Sequence, residues 1–286
     1  MRLFVACAVA AVALVDGRSD VAERVMKLTR ESIWKPAGSI RVRFRTWHPQ
    51  GLVKIGDTFY VSSVEVRSRE RSEGTGHLFK IDKAGGLIAD LALGEGAIYH
   101  PGGIDFDGTN IWVPTAEYRP DSRSIVYRVD PASMKATEVF RFADHLGAIA
   151  HDTGTGRLHA VSWGSRRLYT WKDGEEKAAP LRTVNPSHYV DYQDCKYAGR
   201  QRMWCSGVTE IRQTGQAPPF RLGGIEIIDL ARGLPMFQVP VLLWTPTGLA
   251  MTQNPMWLDA TTTGLRAYFM PEDDASTIYV YEVETD

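Results

Sequence analysis

From Ile40 to Trp47 the chain reads Ile-Arg-Val-Arg-Phe-Arg-Thr-Trp, alternating apolar and polar positions as a half-buried strand does. The stretch from His100 to Val113, His-Pro-Gly-Gly-Ile-Asp-Phe-Asp-Gly-Thr-Asn-Ile-Trp-Val, predicts a strand, a tight Asp-Gly-Thr-Asn turn and a second strand. Related stretches begin at His48 (His-Pro-Gln-Gly-Leu-Val-Lys-Ile-Gly-Asp-Thr-Phe-Tyr-Val) and at His145 (His-Leu-Gly-Ala-Ile-Ala-His-Asp). Recurrence at this spacing points to a repeat architecture rather than to chance. Each copy predicts four strands. The third has the form apolar, any, apolar, Asp or Glu, and recurs at Phe79–Asp82, Tyr127–Asp130, Tyr169–Asp173, Glu226–Asp229 and Tyr279–Glu282. Five third strands mean five units. The last copy, from Thr245, ends after its third strand, and the unattached strand Ile40–Trp47 supplies the missing fourth. The expectation is an all-β, five-bladed β-propeller of four-stranded blades, closed by its N-terminal strand so that no sheet edge stays open.

Residues 19–32 carry Val21, Val25, Met26 and Leu28 near one face and predict a short N-terminal helix ended by Pro36-Ala-Gly. Before it, Leu3 to Val15 is an apolar, alanine-rich run of 13 residues following Arg2. That is too short to span a bilayer, and it suits the core of a secretory signal peptide, with cleavage after Ala13 or Gly17; a buried N-terminal helix is the alternative. The organisation expected is therefore a leader over 1–17, a helix and linker over 18–39, and one propeller domain over 40–286. The predicted location is secreted or periplasmic, with no membrane association after processing.

Composition narrows the function. Apolar residues make up 44% and charged residues 23% of the chain, as in ordinary globular proteins, and the formal net charge is −1. With no long basic run and no acidic tail, nucleic acid is not an expected partner; a small-molecule ligand and a monomeric state are. Of the three cysteines, Cys7 belongs to the leader. Cys195 and Cys205 flank a hairpin whose turn centres on Arg200, which would set them opposite each other. They read either as a disulfide, in keeping with export, or as two small buried apolar residues.

The phrases His-Pro-Gln-Gly, Ile-Gly-Asp-Thr-Phe and His-Pro-Gly-Gly-Ile-Asp resemble a family of bacterial and fungal domains of unknown function, over roughly residues 20 to 285. More broadly, the chain is similar to secreted propellers of the gluconolactonase and strictosidine-synthase kind. The resemblance implies a propeller and no particular reaction, because the metal-binding residues of the gluconolactonases have no match here.

In a propeller the first strand of each blade lines the central channel. Aligning the repeats brings His48, His100, His145, Asp191 and Thr245 to equivalent entry positions, with His188 a rival for Asp191. Three histidines and a carboxylate are a candidate set for one divalent metal ion. The alternative is architectural: a histidine before Pro-Gly can hold neighbouring blades in register. Glu65 and Glu117, with Glu210, end the second strands on the same side and are candidate bases or partners of ligand imidazoles, although solvated loop ends would look the same. Long loops are expected at 67–76, 118–124, 211–222 and 263–276, and Arg69, Tyr118, Arg119 and Trp163 are candidate substrate-binding residues. Trp112, Trp204 and Trp257, with Trp163, are expected on second strands, where packing between blades is the ordinary role. The sequence thus points to an exported small-molecule enzyme with a metal site at the channel mouth and a hydrolase or lactonase reaction. The alternative is a non-catalytic propeller that binds a ligand, glycan or protein through its loops.

Overall fold

The structure is a computed structural model that describes residues 18, 20–172, 174–212 and 219–285. Five antiparallel sheets form the five blades, each ordered from its inner to its outer strand. The inner strands are His48–Ile55, Ile98–Pro101 continued by Asp105–Phe106, Leu146–Asp152, Asp191–Tyr197 and Met256–Ala260. All five expected third strands overlap observed ones, from Glu73–Ile81 to Thr277–Glu284, although Asp82 falls just beyond its strand and Asp173 lies outside the described residues.

Closure occurs as expected but with a different segment. The strand that completes the last blade is Lys35–Arg41, not Ile40–Trp47, and it pairs from Lys35 opposite Glu282 to Arg41 opposite Thr277. Pro36 and Gly38 are tolerated because this is an outer edge strand, where a missing donor and a bulge cost little. The alternating stretch after Arg41 instead packs between the first and last blades, with Val42 buried and Phe44 and Trp47 against the same cluster. The division expected at residue 40 therefore falls inside a strand.

The N-terminal helix is also shorter than residues 19–32: residues 20–25 are helical and turns follow. Its apolar face is the expected one, with Val21, Val25 and Leu28 buried against the fourth and fifth blades. The proposed leader and Cys7 lie outside the described residues. No helix among the described residues is long and apolar enough to cross a membrane.

The core is divided among the blade interfaces. Separate apolar clusters join blades one and five, one and two, two and three, three and four, and four and five. The His-Pro-Gly-Gly phrase at residues 100–103 shows why glycine is needed at the splice between blades two and three. A Cβ on Gly102 would sit 2.2 Å from the Gly147 carbonyl oxygen, and Gly103 bridges directly to Ala148. Cys195 and Cys205 are directly opposed across the fourth blade's first hairpin and form a disulfide, with Cα atoms 4.1 Å apart. The turn is set by Arg200 and Gln201, both in the left-handed region.

Candidate functional site

Four of the five inner strands carry a register shift near the same end of the channel: around Gln50, Tyr99, Gly147 and Gln193. A bulge re-aims the neighbouring side chains and widens the local twist. Three of these residues, Gln50, Gly147 and Gln193, line a cavity of about 210 Å³ at the channel mouth. His48, His100, His145 and Asp191 line the same cavity, as do Tyr118, Trp163 and Ser162. The fold thus brings four of the five expected entry residues and two of the four expected substrate-binding residues to one place.

Each histidine is held differently. His145 is buried, and its Nδ1–H donates to the carbonyl oxygen of Glu117 at 2.8 Å. A carbonyl can only accept, so the neutral ring keeps its hydrogen on Nδ1 and leaves Nε2 as the basic nitrogen. His48 is half-buried, and its Nδ1 meets the Asp273 carboxylate at 2.8 Å, itself held by Asn254 at 2.9 Å. His100 is 4% exposed and its Nδ1 has no hydrogen-bond partner among the described residues. Its ring stacks on Tyr118 at 4.1 Å between centroids and lies 5.5 Å from the His145 ring. Trp163 stands edge-on to His145 at 4.7 Å. Burial, and then the neighbouring His145 and His48, push the His100 imidazole well below its ordinary range. Burial also lowers His145, against the pull of the Glu117 carbonyl. In both rings burial thus favours the neutral form.

A metal centre does not fit this arrangement. Among the described residues no group of three or more His, Cys, Asp and Glu side chains is disposed to hold an ion. The reason is visible in the partners. His48 is drawn toward Asp273 of the last blade, while Asp191 stands at the exposed rim within 3.4 Å of Arg166. The four residues share a cavity without converging on one point.

The other expected positions fall as follows. Glu65 pairs with Arg67, and neither lines the cavity. Glu117 is buried and clasped by Arg119 and Arg123, which together outweigh burial and hold its carboxyl low; only its backbone oxygen reaches the site. Arg119 is therefore occupied, whereas Arg69 lies over the outer face of Tyr118 at 4.1 Å, completing a stack of Arg69, Tyr118 and His100. His188 bonds Arg166 and does not line the cavity, and Thr245 sits in a turn away from it. Trp257 is on an inner strand, not a second one, and Trp163 lies just past the second strand of its blade. Strand Gly264–Phe269 shortens the expected last loop, so Tyr268 and Phe269 are buried strand residues. The first hairpin likewise extends to Ser68 and resumes at Glu73.

Sequence reasoning missed Gln50, Gln193 and Asp273. Gln50 had a signal, since it lies two residues from His48 in a strand, but the bulges and the carboxylate from another blade did not. Nor was the floor anticipated. There, buried Asp194 accepts from the backbone N–H of Leu52 at 2.9 Å and of Ile104 at 3.1 Å, and it pairs with buried Lys196, which donates to the Ile104 carbonyl at 2.6 Å. This pair ties blades one, two and four across the channel.

A five-bladed propeller with a polar cavity at one channel mouth is thus the class of protein. The chain belongs to DUF6454, a family of unknown function, whose model matches residues 4–285. No curated protein matches it. Among solved structures, it is similar to a hypothetical protein from Leishmania major (10% identity, 86% of this chain and 90% of that one, TM-score 0.52). It is also similar to a luciferin-regenerating enzyme (10%, 88% and 95%, TM-score 0.49) and to the Kuenenia stuttgartiensis hydrazine synthase (12%, 81% and 58%, TM-score 0.40). The chain thus spans 58% of the hydrazine synthase chain. At these identities the first likeness shows the fold alone, and the other two carry no argument.

Proposed function

We propose that the channel-mouth cavity binds a small polar molecule and that His145, with His100 beside it, acts as a neutral base there, hydrolysing an ester or lactone. The observation that carries this reading is the burial of two imidazoles in the wall of one polar cavity, where burial favours the neutral ring of each. In the step proposed, Nε2 of His145 takes a proton from water as the water oxygen bonds to the substrate carbonyl. The proton then passes to the departing alkoxide oxygen as its bond to carbon breaks, leaving acid and alcohol, or one hydroxy acid from a lactone. Tyr118 and Trp163 supply apolar walls, and Gln50, Gln193 and Ser162 supply polar contacts that orient the substrate. Secretion or periplasmic export is part of the proposal, supported by the leader pattern and by the Cys195–Cys205 disulfide, as is a monomer with its last blade sealed.

The test is a panel of esters and lactones assayed with wild type, His145→Gln and His100→Gln, with metal content measured on the same preparations. Hydrolysis that falls at least about 100-fold in His145→Gln, without loss of folding, supports the base role. Hydrolysis unchanged by both substitutions refutes it. The stacked Arg69, Tyr118 and His100 favour a second reading, binding without turnover. It predicts saturable ligand binding that is lost in Tyr118→Ala, with no product formed.

A further inference from the structure

The far end of the channel holds a larger cavity, about 580 Å³, within the size range of small-molecule sites. The Asp194–Lys196 pair stands in the channel between the two ends, and Lys196 forms part of the far cavity's wall. The remaining walls come from the last residues of inner strands, from Trp204 and Arg266, and from Arg18 and Val21 of the N-terminal helix. Phe106, Trp204 and Trp257 make it aromatic.

Arg18, Lys54, Lys196 and Arg266 line it together with one acidic side chain, Asp259, and Arg266 is held by Glu282 outside the lining at 2.9 Å. Both Asp259 oxygens are already engaged, one by Lys54 Nζ at 2.7 Å and the other by Trp257 Nε1 at 2.7 Å. Arg18 is mostly buried. Its Nη1 reaches the Tyr197 carbonyl at 3.4 Å and the Asp105 carboxylate at 3.6 Å, while Nη2 is buried with no hydrogen-bond partner among the described residues. Lys196 spends donors on Asp194 and Ile104 and has a third remaining. A buried guanidinium donor without an acceptor is costly, and an oxyanion is the group that relieves it.

We propose that this cavity is a second binding site, for a planar aromatic organic anion whose oxyanion is received by Arg18 and whose ring lies among Phe106, Trp204 and Trp257. It is independent of the chemistry at the channel mouth. Isothermal titration with indole-3-acetate and its uncharged counterpart indole-3-acetamide tests it on the purified protein. The acid is expected to bind at one site at least about tenfold more tightly than the amide, the worth of one charged hydrogen bond. Arg18→Gln should abolish that preference and Arg18→Lys should keep part of it, while His145→Gln at the mouth changes nothing. Thr261→Trp, which fills the cavity from its rim, should block the acid even if Arg18→Gln disturbs folding. Equal affinity for acid and amide, no saturable binding, or loss of binding in His145→Gln would each overturn the proposal.

Discussion

His159 lies on the second strand of blade three, outside the channel-mouth cavity, and it calibrates how the fold treats buried imidazoles. It is 4% exposed, its Nδ1 faces the Thr170 hydroxyl at 3.0 Å, and its Nε2 is buried without a partner among the described residues. Burial lowers it from 6.5 to about 4. The unfolded chain takes up a proton here at 6.5 and the folded chain does not until about pH 4. Stability is therefore unaffected above 6.5 and falls as pH drops through the interval between the two values, by roughly 3 kcal/mol in full and about 2.5 kcal/mol by pH 4.5. His159→Asn keeps a polar atom near Thr170 and removes the titration. Urea unfolding at pH 7 and pH 4.5, followed by tryptophan fluorescence, measures the difference in stability for each protein. That comparison cancels whatever packing the substitution costs at pH 7. The variant should lose about 2.5 kcal/mol less than wild type between the two pH values. An equal loss in both proteins would refute the argument. The acid sensitivity that remains in the variant is then assigned to other groups, His100 and His145 among them, which burial depresses in the same direction.

The other expectations are read more simply. Replacing both Cys195 and Cys205 by alanine opens a loop closed over a separation of 10 residues, and should cost about 3 kcal/mol in denaturant unfolding, with dithiothreitol reproducing the loss in wild type. Gly102→Ala forces a Cβ against the Gly147 carbonyl and should destabilise the protein by more than about 2 kcal/mol, seen as a lower thermal midpoint. Asp273→Asn weakens the hold on His48 Nδ1 and should change ligand affinity at the mouth while leaving the midpoint nearly unmoved. Deleting residues 35–41 strips the outer strand from the last blade, and should abolish cooperative unfolding altogether.

Much of the architecture was legible because repetition carries it. A third strand that recurs five times with the same apolar and acidic rhythm can be counted without knowing any contact, and each observed blade contains its copy. The histidines were legible for the same reason, since equivalent positions in a ring of blades must face one axis. The sealing strand was misplaced because alternation marks a half-buried segment, and Val42, Phe44 and Trp47 take their burial from packing between blades rather than from pairing. Nothing local distinguishes the two. The actual strand carries Pro36 and Gly38, which only its position at an outer edge makes acceptable.

The sequence by itself therefore determined the number of blades, the strand order within each, and the histidines that stand at the channel mouth, because these follow from periodicity along one chain. Tertiary structure alone decided what those residues can do. Whether three histidines converge on an ion depends on Asp273 drawing one of them toward another blade and on bulges of one residue re-aiming the strands. Whether they are charged depends on burial, which belongs to the packed ring and not to any segment. The far cavity exists only because Arg18, Trp257 and Lys196, distant in sequence, meet where the N-terminal helix docks against the channel, and no pattern along the chain records a meeting of that kind.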